Sequence, residues 1–444
     1  MIEQARALLD RIRRSRIFRD SSFVLGSNLI GQAISLIVSV ALARGLGKED
    51  YSLIIVAMTI VNTVAQFLDV RTSEGLIKFV GGALARDDHR EAITFWHVGL
   101  SINALVAAVT MAVLLFTNRA AVTIYPQADD LLHLANIFML SVPFTTLEKT
   151  FSAILNVLKR FRLLAAAEIA NNMLRLICLL IGLWLGGLSG VMWGYVIAAL
   201  LTFTVWAALG GVLILRNIHA RRGAGYRSAW RQFLPVAFHT SLAESFKSLF
   251  ANATVLILGA LRPQGDVSYY RIAESAVKVS ALAVTPVRLV LFPTLNEAWA
   301  RGQHDRVRML IRSFTLYGAL LSAGAAVFYL LLGRWLVTLL YTAEYAPAAN
   351  VLYILAAAYI IDNALLWVRP AAISGSRPGL LTYAQAFNTL LRVSLLVPLI
   401  YFYGADGAAW ALLITMGLYA VMVAVYIAPQ LDLWHPLRRR RPTP

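Results

Sequence analysis

The chain has 444 residues, of which 59% are hydrophobic and only 14% are charged, and its mean hydropathy is +0.68. No soluble domain of this size is so apolar, so the composition indicates a polytopic membrane protein. The net charge of +17 is better explained by arginines in cytoplasmic loops than by a nucleic-acid partner, and we expect none. The single cysteine, Cys178, lies in an apolar segment, which excludes a disulfide framework and a cysteine-based metal site.

The first twenty residues are predicted to form an amphipathic helix on the inner membrane surface. Ile2, Leu8, Leu9 and Ile12 recur at helical spacing, with arginines on the other side that anionic headgroups would attract. The apolar run that follows is too long for the hydrophobic region of a signal peptide and forms the first span.

Twelve segments are long enough to cross a bilayer as helices of roughly 20 residues. Arginines and lysines concentrate on one side of the resulting loops, which predicts that both termini are cytoplasmic. The predicted spans are 21–43, 51–70, 92–117, 131–155, 162–185, 189–215, 232–259, 267–293, 310–332, 347–370, 380–402 and 406–428. The predicted domains are the helix 1–20, an N-lobe at 21–215, a cytoplasmic linker at 216–231, a C-lobe at 232–428 and a basic tail at 429–444.

Residues 167–193 and 384–410 align without a gap, 217 positions apart, and both end in a G-x-x-G-x-x-W corner. Two copies of six helices share one orientation, so we expect an all-α fold of two lobes related by a pseudo-two-fold axis along the membrane normal. Such repeats are typical of transporters, which bind substrate between them. The matched pairs are Ala167/Ala384, Asn171/Asn388, Leu174/Leu391, Arg175/Arg392, Leu179/Leu396, Gly187/Gly404, Gly190/Gly407 and Trp193/Trp410.

Charged residues inside spans cost roughly 3 kcal/mol each at a helix centre, so they are expected to face protein or water. Span 8 carries Arg271, Glu274, Lys278 and Arg288 on one face, extending over about 25 Å of helix axis. In span 7, Glu244 and Lys247 fall near mid-membrane, where we expect them to line the same cavity.

The equivalent spans of the first lobe carry uncharged or acidic stripes. Asn28 and Gln32 share a face of span 1, and Asn62, Gln66 and Asp69 share a face of span 2. Spans 1, 2, 7 and 8 are therefore predicted to enclose a hydrated, cationic cavity. No catalytic constellation and no metal-ligand cluster is predicted.

Structural alternatives stay open for many of these residues. The glutamates of spans 7 and 8 could be paired with neighbouring cations simply to fasten the bundle, and Arg288 could be an interfacial arginine. Glu148–Lys149 is interpreted as bracing within the lobe. Arg175 and Arg392, equivalent in the two lobes, are interpreted as scaffold.

The segment ALARGLGKEDYS at 41–52 resembles a motif of the MOP flippase superfamily, most closely of its polysaccharide-transport branch. The pattern A-R-x-L-G-x-x-x-Y-G stands here as Ala43, Arg44, Leu46, Gly47 and Tyr51, with serine at position 52 in place of the last glycine. The resemblance implies a flippase in the bacterial inner membrane. Its substrate would be an undecaprenyl-diphosphate-linked oligosaccharide, moved to the periplasmic leaflet for O-antigen, capsule or exopolysaccharide synthesis.

In this interpretation Arg288 captures the diphosphate, Lys247 and Lys278 hold it at mid-membrane, and Arg271 leads it outward. Glu244 or Glu274 would couple transport to a proton or sodium gradient. The chain would need no cofactor, contact membrane lipids and polysaccharide polymerase or export machinery, and function as a monomer. The alternatives are a MATE-type antiporter of cationic drugs, a membrane polysaccharide polymerase or ligase, and a scaffold for glycan assembly.

Overall fold

The computed structural model describes residues 16–219, 225–281, 284–374, 379–427 and 429. The secondary structure in these ranges is helical throughout. A 3-10 turn precedes α11, and a π-helical turn, Val423–Ile427, follows α13. The helices are α1 (Arg16–Leu68), α2 (Thr72–Ala85), α3 (His89–Val122), α4 (Ala128–Met139), α5 (Val142–Val157), α6 (Phe161–Asn217), α7 (Tyr226–Leu261), α8 (Gln264–Ala281), α9 (Thr285–Ala300), α10 (His304–Leu340), α11 (Ala348–Ala364), α12 (Val368–Ser374) and α13 (Gly379–Met422).

Three of these helices each contain two predicted spans joined at a glycine. The backbone leaves helical geometry at Gly47 in α1, at Gly187 in α6 and at Gly404 in α13, and all three glycines have positive φ. Residues with a Cβ rarely adopt such torsions, so glycine allows each sharp change of direction between spans.

The described residues contain seven helical stretches that are long and apolar enough to cross a membrane. These stretches include predicted spans 1–6 and 9–12, whereas spans 7 and 8 lie in α7 to α9. Large apolar side chains such as Phe116, Trp184 and Leu331 are exposed, each by more than three quarters. Exposed apolar faces on helices of this length are those of a multi-pass membrane protein in contact with lipid.

The segment between predicted spans 2 and 3 was expected to be a loop. This prediction is wrong for most of the segment, because residues 72–85 form α2. This helix buries Leu76 and Val80 in a core with α3, α5 and the first turns of α7. A Cβ added at Gly75 would overlap the ring of Phe233. Tertiary packing of this apolar face favours a helix over a loop, while Lys78 stays on the exposed side.

Spans 4 and 10 are each built from two helices rather than one. Leu140 and Ser141 separate α4 from α5, and residues 365–367 separate α11 from α12. Proline in the first turn of α5 fits the first break, since proline is tolerated there and disrupts a helix interior. Predicted span 8 lies partly in α8 and partly in α9, and residues 282–283 between them lie outside the described ranges.

The chain forms two compact units, Met1–Asn252 (unit 1) and Ala253–Pro444 (unit 2). The division falls within α7, and the predicted lobe boundaries stay predictions. Residues 16–20 of the predicted N-terminal helix continue directly into α1, and residues 1–15 lie outside the described ranges. The same holds for residues 220–224 of the predicted linker and for nearly all of the basic tail.

Candidate functional site

Unit 1 contains a polar cavity of about 640 Å³, hereafter the unit 1 cavity, between α1, α4, α5 and α6. Asn28, Gln32 and Asn62, three of the predicted cavity residues, lie on its wall. The rest of the wall comes from predicted spans 4, 5 and 6, which the sequence-based interpretation had not assigned to a cavity. The polar stripe of spans 1 and 2 therefore faces helices of its own unit.

The wall opposite α1 carries charged residues. Glu148 of α5 and both Glu168 and Arg175 of α6 line the cavity. The Ser27 hydroxyl on α1 donates a hydrogen bond of 2.9 Å to the Glu168 carboxylate, which ties α1 to α6. With two carboxylates and one guanidinium, the charged groups of this wall have a formal net charge of −1.

Asn172 holds the charged wall in place. Its amide nitrogen donates to the backbone carbonyl of Glu168 at 2.9 Å, and its amide oxygen accepts a hydrogen bond of 2.6 Å from Arg175. Among the described residues, Oε2 of Glu148 is buried and has no hydrogen-bond partner. A buried carboxylate oxygen without a donor is costly, so this atom is suited to accept a hydrogen bond from a bound molecule.

The other two predicted residues of span 2 do not line the unit 1 cavity. Asp69 accepts a hydrogen bond of 2.8 Å from the ammonium group of Lys149, an ion pair that links the end of α1 to α5. Gln66 contacts Asn252 of α7, with 3.5 Å between the two side chains. Lys149 thus braces unit 1, as the sequence indicated, but its acidic partner is Asp69 and not Glu148.

The cations of span 8 form a compact cluster on α8. Arg271 lies 2.7 Å and Lys278 lies 2.9 Å from the two oxygens of Glu274, one helical turn away in each direction. The side chains of Arg271 and Lys278 are 40% and 48% exposed, whereas Glu274 is 20% exposed. The formal charges of these three side chains sum to +1.

The remaining predicted site residues are Glu244, Lys247 and Arg288. Their backbones lie in α7 and α9, and their side chains lie outside the described part of the structure. The predicted ladder along span 8 is therefore described only at Arg271, Glu274 and Lys278.

The repeat-related arginines have different environments. Arg175 faces the unit 1 cavity, whereas Arg392 of α13 donates to the hydroxyl of Thr254 at 3.2 Å, within unit 2. A scaffold role for both residues, as the repeat suggested, fits Arg392 better than Arg175. Unit 2 also has a cavity of about 10 Å³ near Asn363, too small to hold more than a water molecule.

The fold matches that of solved membrane transporters. An inward-facing multidrug resistance MATE family transporter of the MOP superfamily has a TM-score of 0.74 at 11% identity, covering 90% of this chain and 94% of that chain. The lipid II flippase MurJ in an inward closed conformation has a TM-score of 0.70 at 13% identity, covering 91% and 86%. A MOP superfamily transporter from Pyrococcus furiosus has a TM-score of 0.64 at 10% identity, covering 95% and 97%. The chain is therefore a multi-pass membrane protein with the two-lobe MATE/MOP fold.

The sequence narrows this class further. The model of the family described as "Polysaccharide biosynthesis protein" matches residues 17–299, and the chain belongs to that family. In Haloferax volcanii, the probable low-salt glycan biosynthesis flippase Agl15 is 24% identical over 174 residues. That alignment covers 39% of this chain and 37% of the relative, so the chain matches little more than a third of that relative's length. The predicted membership in the polysaccharide-transport branch of the MOP superfamily is confirmed.

Proposed function

We propose that this protein flips a lipid-linked oligosaccharide across the membrane. The substrate is an oligosaccharide joined through a diphosphate to a polyprenyl lipid, and it moves from the cytoplasmic to the periplasmic leaflet of a bacterial inner membrane. Family membership and a fold shared with a lipid II flippase support this proposal. The glycan then enters the synthesis of a surface polysaccharide.

The observation that carries the proposal is the pair of half-exposed cations on α8. Moving a diphosphate through about 30 Å of hydrocarbon requires positive charge along its path. Arg271 and Lys278 place two half-exposed cations within one helical turn of Glu274, and two positive charges so close together attract a dianion. Arg288 and Lys247 would extend this path toward the cytoplasmic mouth and the membrane centre.

The mechanism that fits this site is alternating access, in which the lobes rock about the bound headgroup while the lipid tail stays in the bilayer. A proton or sodium gradient is the proposed driving force. Glu274 has two ion-pair partners, so in this scheme it limits the positive charge of the empty site. Either Glu244 or Glu274 is proposed to couple transport to the ion gradient.

A MATE-type exporter of cationic drugs is the main alternative with the same fold. A cationic substrate would be repelled by the net positive face of α8, which favours an anionic substrate instead. The proposed orientation, with both termini cytoplasmic, is the same for both functions.

Deletion of the gene tests the proposal in cells. If the protein is a flippase, complete lipid-linked oligosaccharides accumulate on the inner leaflet and surface polysaccharide is lost. Loss of surface polysaccharide with complete oligosaccharides on the outer leaflet would instead indicate a polymerase or ligase. Unchanged polysaccharide together with increased sensitivity to cationic drugs would support the MATE-type alternative.

A further inference from the structure

We infer that the unit 1 cavity binds the sugar rings of the substrate and thereby selects the glycan. This inference rests on the proposed function and assigns a second site to the same substrate. Its basis is the chemistry of the cavity wall, which differs in kind from that of the α8 face.

The wall is rich in groups that both donate and accept hydrogen bonds. α1 contributes the side-chain amides of Asn28, Gln32 and Asn62, and α6 contributes those of Asn171 and Asn172. Sugar hydroxyls also donate and accept hydrogen bonds. Amide and hydroxyl side chains therefore match them better than side chains that only donate or only accept. A wall of this kind suits a neutral polyhydroxyl ligand.

Aromatic rings provide the complementary apolar surface. Tyr195 and Phe138 pack edge to face with ring centroids 5.6 Å apart, and Trp206 lines the same cavity. Sugar rings present patches of C–H groups that pack on aromatic faces, while their hydroxyls point to polar partners. The volume of about 640 Å³ is within the range of about 300–1,000 Å³ typical of small-molecule sites.

Charge separates this site from the diphosphate site. Glu148 and Glu168 outnumber Arg175, and Arg175 is already hydrogen-bonded to Asn172. The charged groups of this wall give a diphosphate no excess of positive charge, which favours neutral sugars as the ligand of the unit 1 cavity. The buried Oε2 of Glu148, which lacks a partner among the described residues, is an acceptor for a sugar hydroxyl or a sugar amide N–H.

The test compares flipping of two lipids by the full-length protein in proteoliposomes. One is the complete lipid-linked oligosaccharide that a deletion strain accumulates, and the other is a polyprenyl diphosphate carrying a single N-acetylhexosamine. Glu148 and Thr202 both line the cavity, and Glu148→Gln and Thr202→Val alter its wall without large changes in side-chain volume. Both variants are expected to flip the complete glycan at least tenfold more slowly, with less than a twofold change for the single-sugar lipid.

Thr204→Val is the matched control, because Thr204 lies on the same helix two residues beyond Thr202 and is exposed outside the cavity. It is expected to flip both lipids at the wild-type rate. Equal effects of the cavity variants on both lipids, or no effect on either, would overturn the inference and leave the flippase function intact. Failure of the wild-type protein to flip either lipid would overturn the proposed function itself. Thermal unfolding of each purified variant identifies any loss of activity that comes from misfolding.

Discussion

Gly187 and Gly404 lie 217 positions apart and turn the chain with nearly the same backbone torsions. Their φ and ψ angles are 52° and −127° at Gly187, and 59° and −131° at Gly404. The two units therefore use the same backbone conformation between predicted spans 5 and 6 in unit 1 and between predicted spans 11 and 12 in unit 2. The repeat found in the sequence is thus also a repeat of backbone conformation.

Alanine at either position is expected to destabilise the protein by about 1–3 kcal/mol, since these torsions are essentially restricted to glycine. Gly404→Ala is expected to cost more than Gly187→Ala. A Cβ at residue 404 would overlap the carboxylate of Asp266, whereas one at residue 187 has no atom within 4 Å. Thermal unfolding of the purified variants in detergent measures the order, and a larger loss for Gly187→Ala contradicts it.

The second glycine of each corner has a packing role. A Cβ at Gly190 would overlap the carbonyl oxygen of Gly182, and one at Gly407 would overlap that of Leu399. Backbone atoms cannot move aside cheaply, so Gly190→Ala and Gly407→Ala are expected to lower stability by about 1–3 kcal/mol. The control is Gly211→Ala in α6, where a Cβ has open space, and it is expected to be neutral or stabilising. Equal thermal stability of all three variants would refute this account of the corner.

Asp69 is expected to act through its ion pair with Lys149 and not as an ion-coupling group. Asp69→Asn and Lys149→Met should each weaken the contact between α1 and α5, with a coupling energy of about 0.5–1 kcal/mol because both side chains are partly exposed. The double variant is expected to keep near-wild-type flipping. A double-mutant cycle on thermal stability measures the coupling. Complete loss of flipping by Asp69→Asn and by the double variant, with normal stability, would restore the coupling role.

Removing a positive charge from α8 is expected to reduce polysaccharide export more than replacing one cationic side chain with another. Lys278→Ala should lower surface polysaccharide at least tenfold, while Lys278→Arg should retain most of it, since the field at the site depends on charge. Lys78→Ala on α2 is the control, because that lysine is exposed and lies over the ring of Phe79. Quantification of surface polysaccharide and of protein in the membrane fraction distinguishes loss of function from loss of protein. Normal export by Lys278→Ala would argue against the α8 site.

Much of the fold follows from the sequence because membrane spans have simple requirements. Length, hydropathy and the repeat predict the membrane-spanning helices, and the glycine corners of the repeat lie where two predicted spans continue as one bent helix. Helix α2 was missed because its fourteen residues are too few to be recognised as a span. Its burial depends on contacts with Phe233, which is distant in sequence.

The candidate site was predicted less completely. Asn28 and Gln32 were assigned to a cavity because they share a face of span 1, and Asn62 because it lies in the polar stripe of span 2. Glu148 and Glu168 lie at equally regular spacing, Glu148 with Ser152 on α5 and Glu168 with Asn172 on α6. That signal was available, but a charged residue next to Lys149 also fits a simple brace. Only the three-dimensional packing separates Lys149, which pairs with Asp69, from Glu148, which faces the cavity.

The proposed transport is measured by the flipping rate of the purified protein in proteoliposomes that contain the lipid-linked oligosaccharide from a deletion strain. Wild-type protein is expected to move the glycan to the opposite leaflet, and the double variant Arg271→Ala/Lys278→Ala, folded and inserted, is expected to do so at least tenfold more slowly. Flipping by the double variant at the wild-type rate would contradict a diphosphate path along α8. Absence of flipping by the wild-type protein, in liposomes where a known lipid flippase is active, would contradict the function itself.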